Sequence, residues 1–171
     1  MLLKFGKEIG TLIYAKNIWK IEVVLSHVLV VQWCNVMIFS LILGRKGSQG
    51  FPGKNLHIIN GQPMAWYPMI AAFNNPHIDY NFISTDDPKL SSLGKKIGFE
   101  VIDRPAYLAT SEALGDDAYK HGYNVMLDKI GEEPEFLILL FCNAPTINSD
   151  LITQGINMLR KDPSADSAVT V

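Results

Sequence analysis

Between Gly44 and Asn55 the chain places Arg45, Lys46 and Lys54 among four glycines, Gly44, Gly47, Gly50 and Gly53, with Pro52 beside the last. That mixture is chemistry for phosphate. Glycine lets backbone N–H groups approach an anion with no side chain in the way, and the cations supply the charge. Two familiar phosphate loops fail on spacing. A Walker loop needs four residues between its first glycine and the Gly-Lys pair, then Ser or Thr; here five residues separate Gly47 from Gly53-Lys54, and Asn55 follows. The Gly-x-Gly-x-x-Gly fingerprint is absent because the glycines recur at every third position. Pro52 blocks an immediate helix. The competing reading is a plain glycine-rich surface turn, against which stands the clustering of Arg and Lys beside a strand end.

Other polar residues carry less. Asp86 and Asp87 follow an apolar run, a common place for a metal carboxylate, but Asp87 is equally an N-cap and Asp86 a loop support. Arg104, before Pro105, is either a ligand or an arginine stapling a turn to carbonyls. Asp116 and Asp117 suit a helix start. His57, His77 and His121 are isolated and lack metal spacing, so they read as surface or packing residues. Cys142 has no visible partner base and reads as packing.

The elements that must hold these residues alternate. Val36–Leu43 is a continuous apolar run, with Ile38–Leu43 expected as a strand buried on both faces. A short helix is expected over Pro63–Asn74, after a turn at Asn60-Gly61. Strands follow at Tyr80–Ser84, Phe99–Ile102, Phe136–Phe141 and Ser167–Val171. Between them lie helices from Asp87 to Lys96, Asp116 to Ile130, and Asn148 or Ser149 to Lys161. Pro88 and Gly98 punctuate the first of these, and Gly131 ends the second. Such alternation implies right-handed βαβ units, a mostly parallel sheet and helices on both faces. Functional residues then gather at the strands' C-terminal ends.

Composition bounds the rest. A chain of 171 residues allows one domain, and 48% hydrophobic with 19% charged residues is ordinary for a globular protein. A net charge of −2, with no basic stripe carrying interleaved aromatics, argues against general nucleic-acid binding. Cys34 and Cys142 are the two cysteines; with no C-x-x-C and no glycosylation sequon, a reducing, cytoplasmic setting is expected. Ile21–Leu43 approaches the length of a membrane span, but Glu22, Ser26, His27, Gln32 and Asn35 interrupt it and its last third is needed as a strand, so no membrane anchor is expected. Residues 1–36 are expected to be an upstream extension without catalytic role, with Met37 as a natural start and 37–171 as the nucleotide-binding part.

The glycine loop resembles that of the CMP-N-acylneuraminate synthetase family of cytidylyltransferases, whose members open with a hydrophobic strand and Arg-x-x-Ser-x-Gly-x-Pro-x-Lys-Asn. Here these are Arg45, Ser48, Gly50, Pro52, Lys54 and Asn55. Further matches follow in order: Asn60-Gly61-Gln62-Pro63, Ile83-Ser84-Thr85-Asp86-Asp87, Arg104-Pro105 with Leu108-Ala109, and Leu139-Leu140-Phe141-Cys142-Asn143-Ala144-Pro145. The resemblance covers Met37 to Val171. It implies a three-layer α/β/α, Rossmann-like nucleotidyltransferase fold, and transfer of CMP from CTP to an acidic sugar with release of pyrophosphate and help from Mg²⁺.

By the same resemblance Arg45 and Lys54 hold the CTP phosphates and carry the catalysis, while Gly44, Ser48, Gly50 and Asn55 complete the cradle. Ser84 and Arg104 line the nucleotide pocket. Sialate-type members have glutamine where Phe141 stands, so Asn143 is expected to take its polar role in the site, and a substrate-contacting serine of relatives aligns near Gly115. Members place an Asp-x-Asp metal pair and a dimerisation arm beyond the point matching Val171. This chain alone is therefore expected to bind CTP weakly and turn over little, and the family's homo-oligomer would lack its arm. A nucleotidyltransferase for another base or sugar, and an inactive nucleotide-binding or interaction fragment, are the alternatives.

Overall fold

A computed structural model describes residues 12–15, 36–47 and 50–169. Eight strands and four helices follow one another: β1 (Leu12–Ala15), β2 (Ile38–Leu43), β3 (Ile58–Ile59), β4 (Gln62–Pro63), α1 (Trp66–Phe73), β5 (Tyr80–Thr85), α2 (Pro88–Ile97), β6 (Glu100–Asp103), α3 (Gly115–Ile130), β7 (Phe136–Phe141), α4 (Ser149–Lys161) and β8 (Ser167–Val169). Six of the strands form one sheet in the order β6-β5-β2-β7-β1-β8. The β6-β5-β2-β7 block is parallel throughout, as the alternating pattern requires.

Alternation along the central strands divides the core into two layers. Ile38 and Ile42 of β2, with Ile138 and Leu140 of β7, pack with Met69 of α1, Leu90 of α2, and Ile152 and Ile156 of α4. Phe39, Leu41 and Leu43, with Leu137 and Leu139, face the other way, against Met126 and the half-buried Tyr119 and Tyr123 of α3. Period-two strands buried on both faces thus place α1, α2 and α4 on one side and α3 on the other, the three layers expected. The one polar residue inside β2, Ser40, is satisfied by donating to Asn81 Oδ1 at 2.7 Å.

Helix punctuation follows local rules. Asp87 is the N-cap of α2, its Oδ1 accepting from the Lys89 N–H at 2.8 Å, with Pro88 at the first helical position and Gly98 closing the helix in the left-handed region. Asn148 caps α4 by accepting from the Leu151 N–H at 2.9 Å. Asp87→Ala is accordingly expected to destabilise the fold by about 1 kcal/mol. Urea unfolding should show a lower midpoint at unchanged slope; an unmoved midpoint would show that the cap adds nothing.

One expectation changes. Gln62-Pro63 does not open a helix but pairs back on Ile58-Ile59 across Asn60-Gly61, both at positive φ (47° and 83°). This is the two-residue hairpin that Asn-Gly favours, and α1 starts only at Trp66. Leu12–Ala15, within residues 1–36, forms β1, which lies antiparallel between β7 and β8, with Leu12 opposite both Leu139 and Val169. The last strand joins the sheet through β1. Among the described residues no helix is long and apolar enough to cross a membrane; residues 21–35 of the candidate span lie outside the described residues.

Candidate functional site

Strand order reverses between β2 and β7: the chain passes from β2 to β5 on one side, then returns to place β7 on the other. In open α/β sheets the crevice beyond the carboxyl ends of two such strands is the natural ligand site. The glycine loop leaves β2 there, and Cys142-Asn143 leaves β7 beside it.

A concavity of about 200 Å³ lies at this point, bordered by Gly44, Arg45, Lys54, Asn55, Arg104 and Asn143, with Phe141, Leu108 and Leu114 among its apolar walls. A shallower basin of about 420 Å³ adjoins it across Leu108 and Ala113, and Lys120, His121 and Asn124 of α3 line its far side. Arg45, Lys54 and Asn55 also enclose a small hollow of about 20 Å³ inside the loop, with Gly47, Gly53 and Asp87. Arg45 and Lys54, nine residues apart in sequence, thus share both the crevice and the loop interior.

Local bonds give the loop its shape. The Gly44 N–H donates to the Ser84 carbonyl (3.1 Å), tying its start to β5. Arg45 Nη1 donates to the Gly47 carbonyl (2.8 Å), folding that side chain back over the loop. Asn55 Nδ2 donates to the Arg45 carbonyl (3.2 Å), and the Asn55 carbonyl accepts from Ala65, anchoring the loop's end. Asp86 accepts the Lys46 N–H at 2.7 Å. Both candidate carboxylates after β5 are therefore engaged, Asp86 on the loop and Asp87 on α2, and among the described residues no three His, Cys, Asp or Glu side chains converge on a metal position.

Gly44 is required by packing. A Cβ there would lie 2.4 Å from Cys142 Sγ and 3.1 Å from Leu90 Cδ1. The loop can leave β2 in contact with the β7 end only because that atom is missing. Cys142 itself is buried, and burial pushes its thiol up to about 12, against a smaller pull downward from Arg104. It remains a protonated packing group at neutral pH. The folded state keeps this advantage below the thiol's unfolded value and loses it as pH climbs towards 12. Thiol alkylation of native protein at pH 8 should therefore miss Cys142 until the chain unfolds, as peptide mapping would show; rapid native-state labelling would contradict it.

Arg104 is 8% exposed, yet it reaches the crevice. Burial lowers its pKa from the ordinary arginine value, while Asp86 works in the opposite direction; the guanidinium stays charged. Nε donates to Ser84 Oγ (3.2 Å) and Nη2 to the Ser84 carbonyl (2.8 Å).

Of the residues expected from sequence, Gly44, Arg45, Lys54, Asn55, Arg104 and Asn143 come together on one concavity, and Gly115 joins them. Gly50 is exposed and is not on its wall. Ser84, expected to line the pocket, is fully buried beneath it and bonds Arg104 instead. Ser48 lies outside the described residues. The apolar wall from Leu108, Ala113, Leu114 and Ala118 was not anticipated as a site surface, apart from the Leu108-Ala109 match. Its signal in sequence is only a turn before a helix.

A mostly parallel sheet flanked by helices, with a cationic glycine loop over its switch point, is a Rossmann-like α/β architecture. Residues 39–170 match the cytidylyltransferase family. An N-acylneuraminate cytidylyltransferase of Escherichia coli O18:K1:H7 is 26% identical over 121 residues, 71% of this chain and 28% of that protein. A 3-deoxy-manno-octulosonate cytidylyltransferase of Thermodesulfovibrio yellowstonii is 26% identical over 126 residues, 71% of this chain and 47% of that one. Among solved structures, a CMP:2-keto-3-deoxy-manno-octonic acid synthetase complexed with CTP superposes with a TM-score of 0.59 at 25% identity, over 74% of this chain and 48% of that one. The chain belongs to the cytidylyltransferase family. It spans between about a quarter and a half of the length of these relatives.

Proposed function

We propose that this chain binds CTP in the switch-point crevice, as the nucleotide-holding part of an enzyme that transfers CMP to an acidic sugar and releases pyrophosphate. The observation that carries the proposal is the convergence of Arg45, Lys54, Asn55 and Arg104 on one concavity beside glycine-freed amides. Attack on the α-phosphorus needs little covalent help from protein; it needs cations placed where charge develops on the phosphate oxygens. Arg45 and Lys54 would hold the phosphates, Asn55 would fix the loop that carries them, and Arg104 would supply charge from the opposite wall.

Relatives named for acylneuraminate and for octulosonate both match this chain, which supports an acidic sugar as the acceptor class. An acylneuraminate is the specific acceptor proposed, with Asn143 beside Phe141 as its polar contact. Mg²⁺ belongs to the proposal as the ion accompanying CTP, where substrate phosphates are its usual ligands. The described side chains do not themselves form a metal centre. A cytoplasmic setting, residues 37–171 as the nucleotide-binding part, and a homo-oligomer are parts of the same proposal.

Calorimetry with CTP, UTP and ATP tests the reading. Saturable binding of CTP in preference to the other two supports it. Equal binding of all three would leave a phosphate cradle without cytidine selection, and no binding of any would overturn the proposal. Pyrophosphate release from CTP plus an acylneuraminate with Mg²⁺ is expected to be slight for this chain alone.

A further inference from the structure

Ser84 joins the two walls of the crevice without touching its space. Its side chain is fully buried at the end of β5. Its hydroxyl accepts from Arg104 Nε at 3.2 Å, and its carbonyl accepts both from Arg104 Nη2 at 2.8 Å and from the Gly44 N–H at 3.1 Å. The next carbonyl, of Thr85, takes the Arg104 backbone N–H at 3.1 Å. Arg104 is therefore fixed at its backbone and along one edge of its guanidinium. Nη1 alone is left without a protein partner among the described residues, on a side chain that borders the concavity. Its hydrogen-bond acceptors are all neutral, and Asp86 supports its charge from nearby without forming an ion pair among the described residues. A buried guanidinium whose hydrogen bonds all go to neutral acceptors gains from a further counter-charge at its free edge.

We propose that Ser84 is a positioning residue for nucleotide binding: it grips Arg104 by Nε and Nη2, so that Nη1 meets an anionic oxygen of the ligand, and its carbonyl keeps that wall in register with the first glycine of the loop. The inference rests on the nucleotide reading above. It also assigns Ser84 a role that acts through Arg104 and not on ligand. A serine is suited to this because its hydroxyl adds a second acceptor beside its own carbonyl, matching the fork of an arginine side chain. Lysine at 104 would keep the charge but has no fork for two adjacent acceptors to hold.

The test is a double-mutant cycle read by calorimetry with CTP on the full chain: unchanged, Ser84→Ala, Arg104→Lys, and both together. Ser84→Ala is expected to weaken CTP binding about tenfold, the size of one charge-assisted hydrogen bond. In the Arg104→Lys background the same change should have almost no effect, within about twofold, because its partner geometry is already gone. A merely structural serine would weaken binding equally in both backgrounds, and that result overturns the inference, as does unaltered affinity in Ser84→Ala. If the unchanged chain binds CTP and either result is found, only this inference falls; if the unchanged chain binds none, the nucleotide reading falls with it. Near-ultraviolet circular dichroism checks folding of each variant. Should Ser84→Ala fail to fold, Ser84→Cys, similar in volume and a poorer acceptor, takes its place with the same expected pattern.

Discussion

Lys54→Ala is expected to weaken CTP binding by about 10- to 150-fold, the equivalent of roughly 1.5–3 kcal/mol for a charge-assisted hydrogen bond to phosphate. The thermal midpoint should barely move. Lys54 is half-buried, and among the described residues its ammonium has no hydrogen bond or ion pair to lose. Its backbone, by contrast, is busy: the N–H donates to Phe51 and the carbonyl accepts from His57, closing the short 3-10 turn that presents the side chain. Truncation at Cβ leaves those bonds in place, so affinity and stability should separate. Calorimetry and thermal melts on the same preparation check this. An unaltered affinity would mean the loop's cations are not used for phosphate. Lys54→Arg should lose less but not nothing, since the longer fork must fit a loop interior already bounded by Arg45 and Asp87.

The second large effect concerns shape. Gly44→Ala places a methyl 2.4 Å from Cys142 Sγ, closer than non-bonded atoms tolerate. Neither partner can yield easily: Cys142 is 1% exposed at the end of β7, and Gly44 is buried at the end of β2. Overpacking of this kind costs about 1–3 kcal/mol, and the loop that begins at Gly44 must shift with it, so CTP affinity should fall as well. Cys142→Ala removes the clashing sulfur. The next contacts of the new methyl would then be Leu90 Cδ1 at 3.1 Å, the end of a flexible side chain, and the residue 142 Cβ at 3.5 Å, an ordinary distance. The double variant should therefore be more stable than the sum of the two single changes implies, by on the order of 1 kcal/mol. Strict additivity in urea denaturation would show that the Gly44–Cys142 contact does not set the loop's exit.

Much of this architecture can be read directly from residues. Phe136–Phe141 is an uninterrupted apolar run and Ile38–Leu43 is broken only by Ser40; only strands covered on both faces can bury such runs, and these two form the centre of the sheet. Asp87-Pro88 and Gly98 mark the ends of α2 because capping chemistry is local. The cationic loop is legible for the same reason: its glycines and charges are contiguous.

What was hidden is non-local. Nothing in Leu12–Ala15, set among scattered lysines, announces a strand that β7 and β8 accept between them. Pro63 looks like a helix start until its pairing with Ile58 is known, although Asn60-Gly61 already carried the hairpin signal. Ser84 could be placed near the site from its position after a strand, but whether it faced ligand or Arg104 depends on a chain segment twenty residues away. The contact that demands glycine at position 44 comes from Cys142, at the end of the neighbouring strand β7 but far along the chain, and no local pattern encodes it.

The central claim is that the triphosphate of CTP lies over the β2/β7 switch point, between Arg45 and Lys54 of the loop and Arg104 opposite. A crystal structure of the chain with CTP tests it most directly. The account predicts phosphate oxygens within hydrogen-bond distance, about 2.7–3.2 Å, of Lys54 Nζ and of the Arg45 or Arg104 guanidinium, with the loop amides turned towards them. Nucleotide density elsewhere on the surface, with those three side chains unoccupied, would contradict it.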